Sequence, residues 1–299
     1  MIMIRKVIYC NLLICSYAAV SISMSSCVNG EKKAGTESGQ AVTDDQVTTI
    51  DALADRLIVG SWENQTPEQL EAHYKDQASA VNSYWTSAHQ GEDQSKMNEG
   101  VCQELKALAD SLSQGSTADM MRSGEINCAV SRYLTAQEYS TQHADNSLYQ
   151  AEMRDWLQLE DKLVGFYRNL AELANWGGTI SGPVAGKTLA NLLQSRCDDY
   201  SRLKSGNESD GDQSTVAEAR ANLIQELEAA KELPDDIADE DAFRNKLKDM
   251  RESADQIVVL LDKWLASRAE MCKAEKISEG RTAQLVNQIS QLVMELVEG

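Results

Sequence analysis

The run from Gly182 to Thr188 has residue types that could bind phosphate, because it ends in Gly-Lys-Thr. In a phosphate-binding loop, a Gly or Ala stands five residues before the Gly of the Gly-Lys-Thr sequence. Here that position is occupied by Ser181. Such a loop also follows a strand, whereas the preceding segment here is an amphipathic helix. We therefore interpret the run as a Gly-rich turn with a lysine in the first turn of a helix.

A histidine that acts in acid–base or nucleophilic catalysis needs neighbouring groups that adjust its pKa. His73, His89 and His143 stand outside any His-Glu-x-x-His motif, and all three lie in polar helical stretches. We interpret each as a surface histidine. With no nucleophile, base or metal cluster in the sequence, we expect a protein that is not an enzyme and carries no cofactor.

Paired acids are a second possible source of chemistry. Asp198-Asp199, Asp235-Asp236 and the run 239–241 are typical of solvated faces or helix starts, where negative charge favours the helix dipole. The run 207–212 has the residue types of a calcium loop but lacks the twelve-residue pattern and its final Glu. The sequence therefore predicts no metal site.

Four cysteines follow the N-terminal region, and their even number favours two disulfides in an oxidising compartment. They are Cys102, Cys128, Cys197 and Cys272. Three pairings are open. We prefer Cys102 with Cys128, because a turn at 114–116 would place them at the same height on two antiparallel helices. Cys197 with Cys272 then follows by elimination.

The N-terminus indicates export. Arg5 and Lys6 precede an apolar run over 7–20 that is too short and interrupted for a membrane span. The residues Met24-Ser25-Ser26-Cys27 then resemble the lipobox of bacterial lipoproteins, in which the cysteine becomes the lipidated N-terminus. Cys27 is therefore the expected anchor, and Cys10 and Cys15 would leave with the signal peptide. An ordinary signal-peptidase cut is the alternative, since lipoboxes usually have Leu where Met24 stands.

Charge restricts the class of partner. The net charge is −19, and loss of Arg5 and Lys6 with the signal would leave 26 basic side chains against 47 acidic ones. Nucleic-acid binding requires clustered Lys and Arg, so this balance argues against a nucleic-acid partner. It also argues against adsorption to anionic lipid, so the acyl chains on Cys27 would hold the protein to the bilayer. A basic protein partner is compatible with the charge, and solubility is the simpler reason for it.

Apolar spacing close to 3.6 residues predicts an all-α fold, a multi-helix bundle linked by disulfides. For example, Leu285, Ile289, Leu292 and Leu296 form one stripe. We predict helices at 44–59, 67–90, 93–113, 117–175, 184–205, 213–233, 240–276 and 278–298, with a break near 142–146. The polar run 206–212 is the clearest internal loop. The sequence leaves open whether the helices form one lobe or two.

Aromatic residues have two interpretations. The large aromatics at helical spacing are Trp62, Tyr84, Trp85, Trp156, Tyr167, Trp176 and Trp264. Such residues could line a ligand groove, but at this spacing they more often form the core. With only two Phe in the chain, we expect them to supply much of the interior packing.

A segment in the middle of the chain resembles the small helical domain named for the lysozyme inhibitor LprI. The resemblance rests on a helix bearing Trp156, a Gly177-Gly178-Thr179 turn, and a second helix with Arg196 and Leu203. Upstream, Asn127-Cys128 resembles the pair that opens the first helix of that family. Val164 stands where the family often has a cysteine, which implies different disulfide pairing. The resemblance covers about residues 117–205 and implies an exported helical domain, with lysozyme binding in a few relatives.

Together these features predict five regions. They are a lipoprotein signal peptide at 1–26, a flexible tether at 27–43, N-terminal helices at 44–116, the LprI-like domain at 117–205 and a C-terminal helical region at 206–299. We expect a lipid-anchored binding module of the cell envelope, at the outer membrane or its periplasmic face, with a basic protein such as lysozyme as partner. The alternative is a solute-binding envelope protein with an aromatic groove.

Overall fold

The computed structural model describes residues 47–58, 66–174, 178–203, 214–233 and 241–298, all within one compact unit, Asp45–Gly299. Nine α-helices and no strand occur in these ranges, which confirms the predicted all-α fold. The helices are α1 (Ile50–Ile58), α2 (Pro67–Ala88), α3 (Met97–Leu112), α4 (Thr117–Gln142), α5 (Ser147–Ala174), α6 (Ser181–Leu203), α7 (Val216–Lys231), α8 (Asp241–Glu275) and α9 (Gly280–Glu298). A 3₁₀ turn, Gln94–Lys96, precedes α3.

Helix starts follow from reciprocal caps. At α2, Thr66 Oγ1 accepts from the backbone N–H of Gln69, and Gln69 Oε1 accepts from the backbone N–H of Thr66. This reciprocal pair is a capping box, and it satisfies two amides that the helix itself leaves unpaired. The same reciprocal arrangement opens α4 at Ser116 and Asp119, and α7 at Thr215 and Glu218.

The predicted break in the span 117–175 is confirmed. Helix α4 ends at Gln142, and the backbone N–H of His143 still bonds to the carbonyl of Tyr139. Asn146 then opens the next helix, because its side-chain oxygen accepts from the backbone N–H of Leu148 at 3.0 Å. A polar side chain that competes with the helix backbone therefore separates α4 from α5.

The first hydrophobic core lies among α1, α2, α3 and the first half of α4. Leu53, Leu57, Val81 and Leu105 are each no more than 1% exposed, and Trp85 packs beside them. Helix α1 joins this core because Leu53, Ala54 and Leu57 form one apolar face.

The second core is larger and is built by α5 to α9. The stripe Leu285, Ile289, Leu292 and Leu296 is buried, as its spacing predicts. Helices α5 and α8 pack along one another, and Trp156 meets Trp264 edge-on with ring centroids 5.3 Å apart. Trp85, Trp156, Trp264, Tyr84 and Tyr167 are all buried, which confirms that these aromatics supply core packing.

Helix α4 belongs to both cores. Ile126, Ala129, Val130 and Tyr133 pack in the first core, whereas Ala136 and Tyr139 pack in the second. Helix α2 also contributes to both, since Leu70 packs in the second core and Val81 in the first. The two cores are therefore joined through two continuous helices.

Several predictions, including those for the N-terminus, fall on residues outside the described ranges. Cys27, the tether 27–43, Trp62, Trp176, Gly177 and the loop 206–212 are among them. No helix in the described ranges combines the length and apolar character needed to span a membrane.

Candidate functional site

A cavity of about 510 Å³ opens between α4, α5 and α6, and it is the candidate site. Its volume lies in the range of ligand sites, about 300–1,000 Å³. Helix α6 supplies small and apolar residues, α5 supplies one apolar and three charged residues, and α4 closes the other side. The residues of its wall include Met121, Glu125, Cys128, Arg132, Asp161, Val164, Arg168, Glu172, Gly182, Ala185, Gly186, Leu189 and Leu193.

Two glycines let α4 and α6 approach closely at one side of the cavity. A Cβ added to Gly124 would lie 3.1 Å from the carbonyl carbon of Gly186, which is backbone and cannot turn aside. The two helices run parallel, since Gly124 faces Gly186 and Ser131 Oγ donates to Gln194 Oε1 further along both. Gly186 therefore serves helix packing, and the Gly-Lys-Thr run lies within α6.

The charged wall residues repeat along helix faces. Glu125, Cys128 and Arg132 follow one another at three- and four-residue intervals on α4. Asp161, Arg168 and Glu172 follow at seven and four residues on α5. Such intervals place side chains on one face of a helix, so both helices present charge to the same cavity.

Two of the carboxylates have cationic neighbours. Glu172 pairs with Lys246 of α8, and Asp161 lies 4.0 Å from Lys162 Nζ. On the opposite side, Arg132 Nη2 donates to Glu160 Oε1 at 3.0 Å. The cavity thus combines an apolar floor with charges of both signs.

Cys128 lies at the cavity wall as a thiol. Its Sγ donates weakly to the carbonyl of Gly186, 4.0 Å away. Burial raises the pKa of the Cys128 thiol to about 11, so the thiolate needed for nucleophilic attack is scarce at neutral pH. This residue contributes shape and polarity to the cavity.

The predicted disulfides are wrong for this structure. Cys102, Cys128, Cys197 and Cys272 are all free thiols. Helices α3 and α4 do pack as neighbours, as the preferred first pairing assumed. However, Cys102 points into the first core while Cys128 packs against the second, on another side of α4. Equal height along two helices did not fix the direction in which each side chain points.

A chain of polar contacts leads from the cavity into the second core. Arg132 donates to Glu160, and the other oxygen of Glu160 accepts from Trp156 Nε1 at 2.7 Å. The guanidinium of Arg196 lies over the Trp156 ring, 4.5 Å from its centroid. The cavity wall is therefore linked through an indole ring to a buried arginine.

That arginine belongs to a closed ring of four buried charges, Glu152, Arg196, Asp199 and Arg268. Arg196 donates to Glu152 at 2.7 Å and to Asp199 at 3.1 Å. Arg268 donates to Asp199 at 2.7 Å and to Glu152 at 3.4 Å. Each carboxylate thus bridges both guanidinium groups, and the four formal charges cancel.

Neighbouring polar groups complete the ring. Trp264 Nε1 donates to Glu152 Oε1 at 2.8 Å, and Arg268 Nε donates to Thr282 Oγ1 at 3.3 Å. Burial raises the pKa of Glu152, but the charges of Arg196 and Arg268 outweigh burial, and the net pKa is lowered. Glu152 therefore remains ionised inside the core. The ring holds α5, α6 and α8 in register, which is a structural role.

Among the residues that carry the sequence resemblance, the structure brings Trp156 and Arg196 into contact. Trp156 and Arg196 stack as described, with both side chains buried. Gly178 lies just before α6, where its carbonyl accepts from the backbone N–H of Ser181. Gly177 is outside the described residues. Asn127 and Cys128 lie within α4, which begins at Thr117, so this pair does not open the helix.

The prediction that Asp198 and Asp199 are a solvated pair is wrong for Asp199. Asp198 is exposed and accepts from Gln194 Nε2, whereas Asp199 is 7% exposed and bridges the two buried arginines. Consecutive residues on a helix point about 100° apart, so one of two adjacent acids can face the core.

The histidines are half-buried, which differs from the predicted surface positions. His89 stacks on Trp85 with centroids 4.1 Å apart, and His143 stacks on Tyr149 at 3.8 Å. His89 Nδ1 lies 3.1 Å from Glu92, and Nε2 lies 2.7 Å from Glu104. The hydrogen bond with Glu92 and the charges of both carboxylates raise the pKa of His89.

Within the described ranges, no group of three or more His, Cys, Asp or Glu side chains is arranged to hold a metal ion. The chain matches no family model, and no curated protein or solved structure is significantly similar to it. The cavity and its charges are therefore the basis for a functional proposal.

Proposed function

We propose that the protein is a membrane-anchored binding module of the cell envelope that recognises a basic protein partner such as a lysozyme. The cavity between α4, α5 and α6 carries this proposal. It is open to solvent, has the volume of a ligand site, and is framed by helices whose positions are fixed by close packing and the buried ring. Its charged walls suit recognition of a complementary surface.

The resemblance to the LprI-type domain supports the choice of lysozyme. The three helices that frame the cavity, α4 to α6, fall within residues 117–205 that carry the resemblance. Lysozymes are commonly basic, and the chain has a net charge of −19. Opposite charges accelerate association and favour correct partners, so the pair is electrostatically matched.

Titration with a basic lysozyme at two ionic strengths tests the partner. We expect saturable binding at low salt that weakens at physiological salt, because the Debye length falls from about 30 Å at 0.01 M to about 8 Å at 0.15 M. An acidic protein of similar size is the control. If no association is measurable at low salt, lysozyme is not the partner.

The anchor is tested on the intact protein extracted from membranes. We expect mass spectrometry to show a chain that begins at Cys27 and carries acyl chains. The variant Cys27→Ser should leave the membrane fraction, since its folded part would no longer be lipidated. An unmodified chain that still carries Met1 would contradict the anchor and the envelope location.

A second candidate function is solute binding, favoured by the cavity volume alone. None of the described wall residues is aromatic, so this version would use the apolar floor in place of an aromatic groove. Only this version predicts that glycans or small anions raise the melting temperature of the isolated protein. A thermal-shift screen therefore separates the two candidates.

A further inference from the structure

We infer that the cavity between α4, α5 and α6 takes a short extended segment of the basic partner, with a cationic side chain at each end and an apolar side chain between. This inference rests on the proposed function, because it names the part of a basic partner that the cavity would hold.

The floor is apolar and shallow. Val164 of α5 and Leu189 and Leu193 of α6 are buried at its base. Ala185 and Gly186 keep the α6 wall low, because neither has a side chain that extends into the space. An apolar side chain laid on this floor would lose contact with water on most of its surface, which favours binding.

Carboxylates stand at both ends of the floor. Asp161 and Glu172 line the cavity from α5 and are eleven residues apart, which is about 16 Å along a helix. Glu125 faces them from α4. An extended peptide advances about 3.4 Å per residue, so about five residues span this separation. Alternate side chains of such a peptide point the same way, so its first, third and fifth residues would face the cavity.

The arginines of the walls do not reverse the preference for cationic side chains. Arg132 already donates to Glu160 at 3.0 Å. Arg168 stands between Asp161 and Glu172 on the same face of α5, and Glu172 is at the four-residue spacing that favours attraction. The walls hold three carboxylates and two guanidinium groups, and Lys246 and Lys162 lie beside Glu172 and Asp161. A cationic side chain of the partner would therefore share these two carboxylates with the lysines and would also meet Glu125 from α4, in a chain of net charge −19.

Lysine and arginine fit better than a small ammonium ion. Their long aliphatic stems can lie on Val164 or Leu193 while the charged heads reach carboxylates at the ends. At the mouth, Met121 is 43% exposed, and its thioether would lie against a Cβ added to Gly182. A flexible methionine adapts to different apolar side chains, so the mouth can close over the bound segment.

Fluorescence polarisation of the full chain with labelled five-residue peptides tests the inference. The probe has lysine at its first and fifth residues, leucine at the third and serine between. One control peptide replaces both lysines with glutamate, and another replaces the leucine with serine. We expect saturable binding of the probe and much weaker binding of both controls. If the glutamate peptide binds as tightly as the probe, the cavity has no preference for cationic side chains. If no peptide saturates, the cavity does not take such a segment. Either result overturns the inference.

Matched variants locate the binding. Glu125→Gln with Asp161→Asn removes one carboxylate from each side, and we expect affinity for the probe to fall about fivefold. Asp249→Asn with Glu270→Gln changes the net charge equally at exposed positions of α8, away from the cavity, and should leave affinity unchanged. Equal losses in both double variants would show a diffuse charge effect and would contradict a defined site.

A third variant tests the floor. Ala185→Met places a flexible side chain where the α6 wall is low, and we expect it to abolish saturable binding. The control is circular dichroism, which must show that the variant keeps the helical spectrum of the wild type. If the spectrum changes, the charge variants decide whether the cavity binds the probe. Peptide binding without lysozyme binding would remove the lysozyme proposal alone. Lysozyme binding that the cavity variants leave unchanged would remove this inference alone.

Discussion

The two hydrophobic cores differ in what occupies their centres. The first core, among α1 to α4, is filled by aliphatic and aromatic side chains and carries one buried uncharged amide, Gln77, whose Nε2 donates to the carbonyl of Leu57. Other polar contacts, such as Tyr84 to Glu104, lie at its edge. The second contains four charged side chains that are at most 7% exposed, joined in a closed ring. Apolar packing tolerates exchange of similar shapes, whereas buried charges demand their own partners. The second core is therefore specified more strictly than the first.

The largest expected effect comes from removing one charge of the ring. Arg268→Met keeps much of the volume but leaves Glu152 and Asp199 with one guanidinium between them. We expect the free energy of unfolding to fall by about 3–5 kcal/mol in urea titrations. Arg220→Met, at the exposed pair with Asp262, is the control and should lose about 1 kcal/mol or less. Similar losses in both variants would contradict a special role for the buried ring.

A smaller effect is expected where α4 meets α6. Gly124→Ala would press a methyl group against the backbone of Gly186, and we expect a loss of about 1–3 kcal/mol. Gly182→Ala meets only the flexible side chain of Met121, and the better helix propensity of alanine should offset that contact. Thermal unfolding of both variants measures the difference. Equal melting temperatures in the two variants would show that there is room for a methyl group between Gly124 and the backbone of Gly186.

A change of side-chain shape in the first core should lower the free energy of unfolding only slightly. Leu105 is 1% exposed in that core, and Leu105→Met keeps its volume and apolar character. We expect a loss of about 1 kcal/mol in urea titrations. A loss as large as that of Arg268→Met would show that the first core is as strictly specified as the second.

The smallest effect is on pH dependence, and its sign differs between the two regions. His89 has a raised pKa, so its stabilisation is present below the ordinary value and is lost as pH rises through the raised pKa. Glu152 has a lowered pKa, so its stabilisation is present above the ordinary value and is lost as pH falls through the lowered pKa. In the wild-type protein, the free energy of unfolding should fall slightly as pH rises through the pKa of His89. We expect this fall to be absent from the His89→Gln variant. NMR titration should give His89 a midpoint above about 6.5, and a lower midpoint would contradict the contacts with Glu92 and Glu104.

The helices were predictable because their signals are local. The Thr66–Gln69 capping box, the break near 142–146 and the stripe through Leu285 and Ile289 all depend on residues close in sequence. Boundaries shifted by a few residues, as at α1, which begins at Ile50 where 44 was predicted. There Thr49 supplies the cap, since its Oγ1 accepts from the backbone N–H of Ala52.

The buried ring and the cavity were not predicted, because each depends on residues far apart in sequence. A signal for the ring is nevertheless present. Arg268 follows Leu261 and Trp264 at seven and four residues, so it occupies the apolar stripe of α8. Arg196 likewise lies four residues before buried Tyr200. A charged residue on an apolar stripe indicates a buried partner, but the pattern does not say which residue that partner is.

Helix α4 runs unbroken from the first core into the second, with Tyr133 in one and Ala136 and Tyr139 in the other. Neither core can lose its structure while the middle of this helix stays fully packed. Backbone amides around Tyr133 to Tyr139 should therefore exchange with deuterated solvent at the slowest rates in the molecule, through opening of the whole unit. Amides of α1 should exchange faster, because that short helix can detach while the rest remains intact.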